Sequence, residues 1–274
     1  MITETGGGFR PVEVDDPERL ARLIAGDPDA HPYSLADLDP PLWDTTRAWV
    51  AVDGSGADTA HALLLSGLPM PVFVAMGRPH DAAVMFLVEH LEPLLTGGCF
   101  LNLALGGEEI VTRRRRLHSL GLHVKYVWRD RTAIEGVPDD DVVDLDGGDL
   151  ARVLDLQARV VDRGRFFTPD LLEQGSYVGV EGEEGGLVAT AGTHVLNPHR
   201  RVAAVGNVLT HPERRGEGLG TRVTAAVLRR LAPLADLVGL NVARTNAGAR
   251  RIYERLGFEP VIPYTESRLH PAGP

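Results

Sequence analysis

The feature that most restricts how this chain can fold is residues 202–220, VAAVGNVLTHPERRGEGLG, with the helical pattern that follows. Val202, Val205, Val208 and Leu209 sit among small residues and read as a strand, because β-branched side chains suit a pleated surface. Pro212 has no N–H to give a ladder and ends it. The turn Arg215-Gly216-Glu217-Gly218-Leu219-Gly220 then leads into Leu219, Val223, Ala226, Val227 and Leu231 at helical spacing. A strand passing through such a turn into a helix leaves backbone N–H groups unpaired at the positive end of the helix dipole. That is an anion site, and it suits a pyrophosphate. Glycine at 216, 218 and 220 keeps Cβ atoms away from a phosphate, and Arg214 and Arg215 can add charge-assisted bonds.

Spacing narrows the reading. The turn has neither the G-x-G-x-x-G of dinucleotide folds nor the G-K-[ST] of a P-loop, since Gly220 is followed by Thr221 with no lysine before it. It does match R-x-x-G-x-G, as Arg215, Gly218 and Gly220. Downstream, residues 237–242 (LVGLNV) read as a short buried strand. Asn246 then caps a helix whose apolar face is Ala249, Ile252, Tyr253 and Leu256, with Gly257 as C′ glycine and Phe258 packing back. The run 246–258 carries N-x-x-A-x-x-x-Y-x-x-x-G-F. These two signatures, in this order, resemble those of the GNAT superfamily of acyl-CoA-dependent N-acyltransferases, and the resemblance covers roughly the C-terminal half.

The resemblance implies an α/β (α+β) fold: a mixed, mostly antiparallel sheet flanked by helices. It implies acetyl-CoA as cofactor, with backbone groups near Val208, Leu209 and Thr210 bonding the pantetheine amides and polarising the thioester carbonyl. Residues Arg214, Arg215, Gly216, Glu217, Gly218, Leu219, Gly220 and Thr221 are expected around the pyrophosphate. Asn246 is expected to serve both the helix cap and the cofactor. Tyr253 matches the family tyrosine that protonates the leaving thiolate, while from spacing alone it reads as a core tyrosine with its hydroxyl at the surface. In GNAT folds the segment at 163–174 lines the acceptor pocket, so Arg163, Arg165, Phe166 and Phe167 are candidate substrate contacts; the two phenylalanines read equally as core. His194, His199 and His211 fall on the right strands or their ends to serve as a base, and each is also readable as an ordinary surface or satisfied histidine. Asn207, also a candidate substrate contact with His194, stands where a carboxylate would have been useful and cannot act as a base. No H-x-E or H-x₃-H on one element supports a metal, and none is expected.

The expected function is transfer of the acetyl group of acetyl-CoA directly to a primary amine of a small molecule or amino acid. The alternatives are a non-catalytic acyl-CoA-binding sensor and a protein N-terminal or lysine acetyltransferase. A net charge of −10 argues against a general nucleic-acid binder and does not repel a cationic amine. Cys99, the single cysteine, lies in the apolar run GGCFLNLAL and reads as core rather than nucleophile. The N-terminus has no apolar signal-type stretch, and no apolar run approaches the ~20 residues of a membrane span, so a cytoplasmic protein, monomer or homodimer, is expected.

The first half alternates strands and helices without a phosphate-type loop. A helix starts at Asp16-Pro17, residues 27–41 read as loop, and strands at 47–53 and 59–66 form a hairpin. A strand at 71–76, helix 81–95, strand 99–104, helix 107–120 and strand 122–128 follow, with Arg113–Arg116 on a solvated face of the second helix. Because some GNAT proteins are tandem, residues 1–134 are expected to be a degenerate GNAT-like domain, 135–141 (EGVPDDD) a linker, and 142–274 the catalytic domain. Within the latter, strand 142–145, helix 148–160 with Leu150, Val153, Leu154 and Val161 inward, and a meander at 176–181, 187–196 and 201–210 lead into the glycine-rich turn.

Overall fold

The computed structural model describes residues 8–160, 167–174, 176–183 and 185–271. Its elements run β1 (Arg10–Val14), α1 (Pro17–Ile24), α2 (Pro32–Ala36), β2 (Thr46–Val52), β3 (Asp58–Leu65), β4 (Val72–Ala75), α3 (Ala82–Leu91), β5 (Phe100–Ala104), α4 (Gly107–Thr112) and β6 (Leu117–Trp128). They continue with β7 (Val142–Asp144), α5 (Leu150–Val160), α6 (Leu171–Gln174), β8 (Tyr177–Glu181), β9 (Leu187–Asn197), β10 (Val202–Thr210), α7 (Leu219–Leu231), β11 (Leu237–Ala243), α8 (Ala247–Arg255) and β12 (Phe258–Leu269). Two compact units result. Unit 1 holds residues 1–125, 242–245 and 261–274; unit 2 holds 126–241 and 246–260. This differs from the linear division at 134 and 142, because the last strand belongs to unit 1 and residues 126–141 to unit 2.

In unit 1 the order β1-β2-β3-β4-β5-β12 is antiparallel throughout except for β4 beside β5. The strands alternate with period two. Trp49, Ala51, Ala62, Phe73 and Ala75 pack under α3 through Val84, Leu87, Val88 and Leu91. Val50, Val52, Leu63, Leu65 and Val74 turn to the other face, where Leu20 and Ile24 of α1 and Leu38 cover them. Both faces are therefore dry, which explains the near-continuous burial of β2 and β3. Asp16 and Asp81 cap α1 and α3 through their carboxylates.

Three parts of unit 1 depart from the expectation. The stretch 27–41 contains α2 and a short 3₁₀ turn rather than plain loop. The expected helix at 107–120 stops at Thr112, and Leu117 opens a 12-residue strand. The four arginines lie between the two. Arg115 bonds the buried Glu92 and the carbonyl of Leu95, and Arg114 stands 3.6 Å from the same carboxylate, so the run is tied to the end of α3. The third departure is β12, whose Pro260 and Pro263 hide a strand that pairs with β5 from Tyr264 to Arg268.

Unit 2 has the order β11-β10-β9-β8-β7, antiparallel except for β10 beside β11. Leu219, Val223, Ala226, Val227 and Leu231 of α7 are all buried, as their spacing requires. In α5 Val153 and Leu156 are buried and Leu150 packs against the same core, whereas Leu154 is exposed; Val161 lies outside the described residues. The acidic stretch after Ile134 is not a free linker. Arg229 of α7 binds Asp139 at 2.7 Å and the carbonyls of Ile134 and Val137 at 2.8 and 2.5 Å, while Arg222 pairs with Asp141 and Arg230 with Asp144. Gly257 has φ +88, and a Cβ there would collide with the carbonyl of Asp130, so only glycine closes α8.

Candidate active site

The site is built where β10 outruns its parallel neighbour. β10 and β11 pair only from Val202–Val205 against Leu237–Leu240, while β10 continues beside β9 to Thr210. Two irregularities re-aim it. His194 is an extra residue on β9 opposite Ala204 and Val205, and Asn207 with Val208 is a second bulge on β10. Asn207 sits there at φ +52, a left-handed backbone that costs a non-glycine residue energy and that clusters at functional sites. Its side chain is buried and its Nδ2 finds no acceptor among the described residues; just past the last residue of β11 paired with β10, Asn241 Oδ1 is buried and finds no donor among them. One unsatisfied amide donor and one unsatisfied acceptor are what a ligand amide would complete.

Below this point the chain makes the glycine turn. Gly216 and Gly218 have φ +89 and +78, and an added Cβ at either would meet nothing within 4 Å, so glycine is needed for the backbone angle rather than for packing. No side chain caps α7. The first N–H groups to find a carbonyl are those of Thr221 and Arg222, both on Gly218 O at 3.0 and 3.1 Å. Those of Gly216 to Gly220 find none among the described residues, and they sit at the positive end of a 13-residue helix. A Cβ added at Gly220 would stand 3.4 Å from Thr210 Oγ1 and 3.5 Å from Ile252 Cδ1, so strand, turn and α8 come close together at this point. The two arginines differ. Arg214 is held by Glu217 at 2.8 Å inside the turn, whereas Arg215 is exposed and makes no ion pair among the described residues. A pyrophosphate with Arg215 beside it fits this set of donors.

Asn246 caps α8, its Oδ1 accepting from Ala249 N at 3.1 Å. Two helical turns on, Tyr253 is 7% exposed with its ring edge-on to Phe258 at 6.0 Å. His194 is half-buried with its Cβ pressed against Gly206, and loss of solvent pulls its pKa down to about 4, so it is neutral at pH 7. His199 is exposed in the turn after β9, and His211 donates its backbone N–H to Val188 O. Phe167 packs on the core of unit 2 beside Tyr177, which is the core role. Arg163, Arg165 and Phe166 lie outside the described residues. Val208 and Thr210 are half-buried and Leu209 points into the core. Cys99 is fully buried in unit 1, and burial raises its thiol to about 11, so it offers no thiolate. Sequence reasoning missed Asn241; the only signal was one polar residue in an apolar strand.

Residues 185–267, which contain the whole of this constellation, match the family model described as FR47-like protein. Among solved structures, a putative GNAT-family acetyltransferase from Novosphingobium aromaticivorans is 22% identical with a TM-score of 0.56, over 77% of this chain and 89% of its own. The fold is that of the GNAT superfamily. A Drosophila protein superimposes at a TM-score of 0.70 with 16% identity over 98% of this chain and all of its own. A tandem GNAT protein from the clavulanic acid biosynthesis pathway matches at 0.54 with 19% identity, over 97% and 99% of the two chains. The two-unit architecture thus has a tandem GNAT counterpart along nearly its whole length. A comparison with curated proteins finds no match. No helix among the described residues is long and apolar enough to cross a membrane.

Proposed function

We propose that unit 2 is an acetyl-CoA-dependent N-acetyltransferase acting on a primary amine of a small molecule or amino acid. The observation that carries this reading is the turn at 215–220, with its two left-handed glycines and the N–H groups of residues 216–220 left without acceptors among the described residues. Those N–H groups and Arg215 would hold the diphosphate, and β10 with Asn207 and Asn241 would take the amides of the arm. Acetyl-CoA supplies an acyl group already activated as a thioester, and a β10 N–H aimed at the developing oxyanion is worth ~3 kcal/mol. Tyr253 Oη holds the proton that a departing thiolate needs; a phenol near pKa ~10 and a thiol near ~8.5 make that transfer feasible.

His194 is a weak base because its pKa lies near 4, so the amine's proton leaves through water. That weakness is also what favours a second reading, an acyl-CoA sensor without turnover. Calorimetry with coenzyme A tests the first step. The unaltered chain is expected to bind, and Gly218→Val to bind at least about tenfold more weakly, because a β-branched residue at this φ costs roughly 1–2 kcal/mol before any clash with the anion. Absence of heat from the unaltered chain overturns the reading. Thiol release across a panel of amines then separates enzyme from sensor.

A further inference from the structure

The chain uses arginine for 27 of its 28 basic residues; Lys125 is its only lysine. That one lysine is 2% exposed, on the α2 side of unit 1. Its Nζ stands 4.5 Å from the centroid of Tyr33 and 5.8 Å from that of Tyr264. The Tyr264 hydroxyl donates to Glu266 Oε1 at 2.6 Å, and the other oxygen of Glu266 is 3.4 Å from His123 Nε2. Asp37 and Glu266 are the carboxyl groups that act on the amine, and His31 feels its charge. The rings of His31 and His61 meet edge-on at 4.6 Å, and two buried nitrogens, His31 Nδ1 and His61 Nε2, find no partner among the described residues. Four separate elements converge here, in a unit whose other buried positions are apolar apart from Ser34, Glu92 and Ser267 among the described residues.

Stability does not account for the cluster, since a buried charge pair is replaced by apolar residues of equal volume at little cost. Nor does a need for positive charge, which this chain meets with arginine everywhere else. What lysine has and arginine lacks is a proton it can lose. Burial draws Lys125 down to about 7 and Asp37 up to about 7, beside imidazoles that burial keeps uncharged. The shell is not sealed, because Tyr33, Asp37, His123 and Glu266 are each part-exposed.

We propose that Lys125 is a nucleophilic amine and that this cluster is a covalent site for a small neutral aldehyde or ketone. The Nζ lone pair adds to the carbonyl carbon, and the former π pair becomes the hydroxyl of a carbinolamine. The Asp37 carboxyl gives its proton to that hydroxyl, the C–O bond breaks, water leaves and a C=N bond remains. The iminium cation lies among the Asp37 and Glu266 carboxylates and two tyrosine faces, which stabilise positive charge. The same carboxylates repel an anionic carbonyl compound.

The test uses the full chain with propionaldehyde and cyanoborohydride at pH 7, followed by peptide mass spectrometry. Trapping at Lys125 is expected to saturate with aldehyde concentration. It should run about a hundredfold faster than on Nα-acetyl-lysine, whose ε-amine at pKa ~10.4 is almost wholly protonated. In guanidinium the advantage is lost, and glyoxylate, which is anionic, is trapped more slowly than propionaldehyde. A lysine that is only structural behaves oppositely: folding shields it, and trapping is slower in the native chain than in the unfolded one. That outcome, or trapping that never saturates, overturns the proposal. Asp37→Asn is expected to slow trapping at least about tenfold, and an unchanged rate removes Asp37 as the acid.

Discussion

Tyr253 and His194 are where single residues make the sharpest statements. Tyr253→Phe removes one oxygen from a ring that is otherwise packed against Phe258, so the fold and the binding of coenzyme A should persist. Turnover is expected to fall by roughly 10²-fold, the usual scale for a lost general acid; steady-state rates beside calorimetry measure both, and an unchanged rate sinks the acid role. His194 bears on stability. Its folded pKa is drawn to about 4 from an ordinary 6.5. The unfolded chain therefore takes up that proton first as pH falls. Its contribution is complete above pH 6.5 and lost towards pH 4, up to about 3 kcal/mol. Urea unfolding at pH 7.0, 5.5 and 4.5 should show a steeper acid loss in the unaltered chain than in His194→Asn. Residues whose role is local backbone chemistry were legible from the sequence: Gly216, Gly218 and Gly257 by their left-handed angles, Asn246 by its cap. Asn241 and Lys125 were not, because their meaning comes from unpaired atoms and neighbours contributed by other elements.

At the scale of elements, α7 does two jobs with opposite faces. Its apolar face and N-terminus build the core and the anion cradle, while Arg222, Arg229 and Arg230 on its outer side bind the stretch from Ile134 to Asp144. Arg229 holds one carboxylate and two backbone carbonyls, so Arg229→Ala should cost about 1–3 kcal/mol through acceptors left unpaired. Chemical denaturation reads that loss. Coenzyme A affinity should change little, because Arg229 lies ten residues beyond Leu219, where the helix begins. The acidic run read as a linker because composition shows charge and turn residues but not the arginines that await them. The same blindness hid the opening of β6, before the expected strand at 122–128, and the whole of β12. Four arginines look like a solvated helix face until Glu92 is seen beneath them, and two prolines disguise a strand whose pairing with β5 lies elsewhere in the ladder. Elements with an uninterrupted period were read more fully: α7 keeps its whole apolar face, and α3 its buried positions up to Leu91, where the helix expected to run to 95 gives way to a 3₁₀ turn with Leu94 exposed.

For the whole molecule, chain order and folding unit do not coincide. Unit 1 is completed by β12, which pairs with β5 from Tyr264 to Arg268 and adds Ile262 and Tyr264 to its core. Unit 2 begins at Tyr126 and uses Trp128, whose Nε1 donates to Leu256 O, and Arg131, which binds the carbonyls of Ala232 and Ala235. A cut that follows the sequence therefore damages both units. Residues 1–134 alone leave β5 as a bare edge with its apolar face open, a template for aggregation; residues 142–274 alone lose the tryptophan and arginine that close the ends of α8 and α7. The fragment 1–134 is expected to be insoluble or to lack dispersed amide signals in NMR spectra. Joining residues 258–274 to it through a flexible linker should restore both solubility and dispersion, since the missing strand is supplied. A well-dispersed spectrum from 1–134 without that strand would show that β12 is an accessory, and the division of the molecule would then follow the order of its sequence after all.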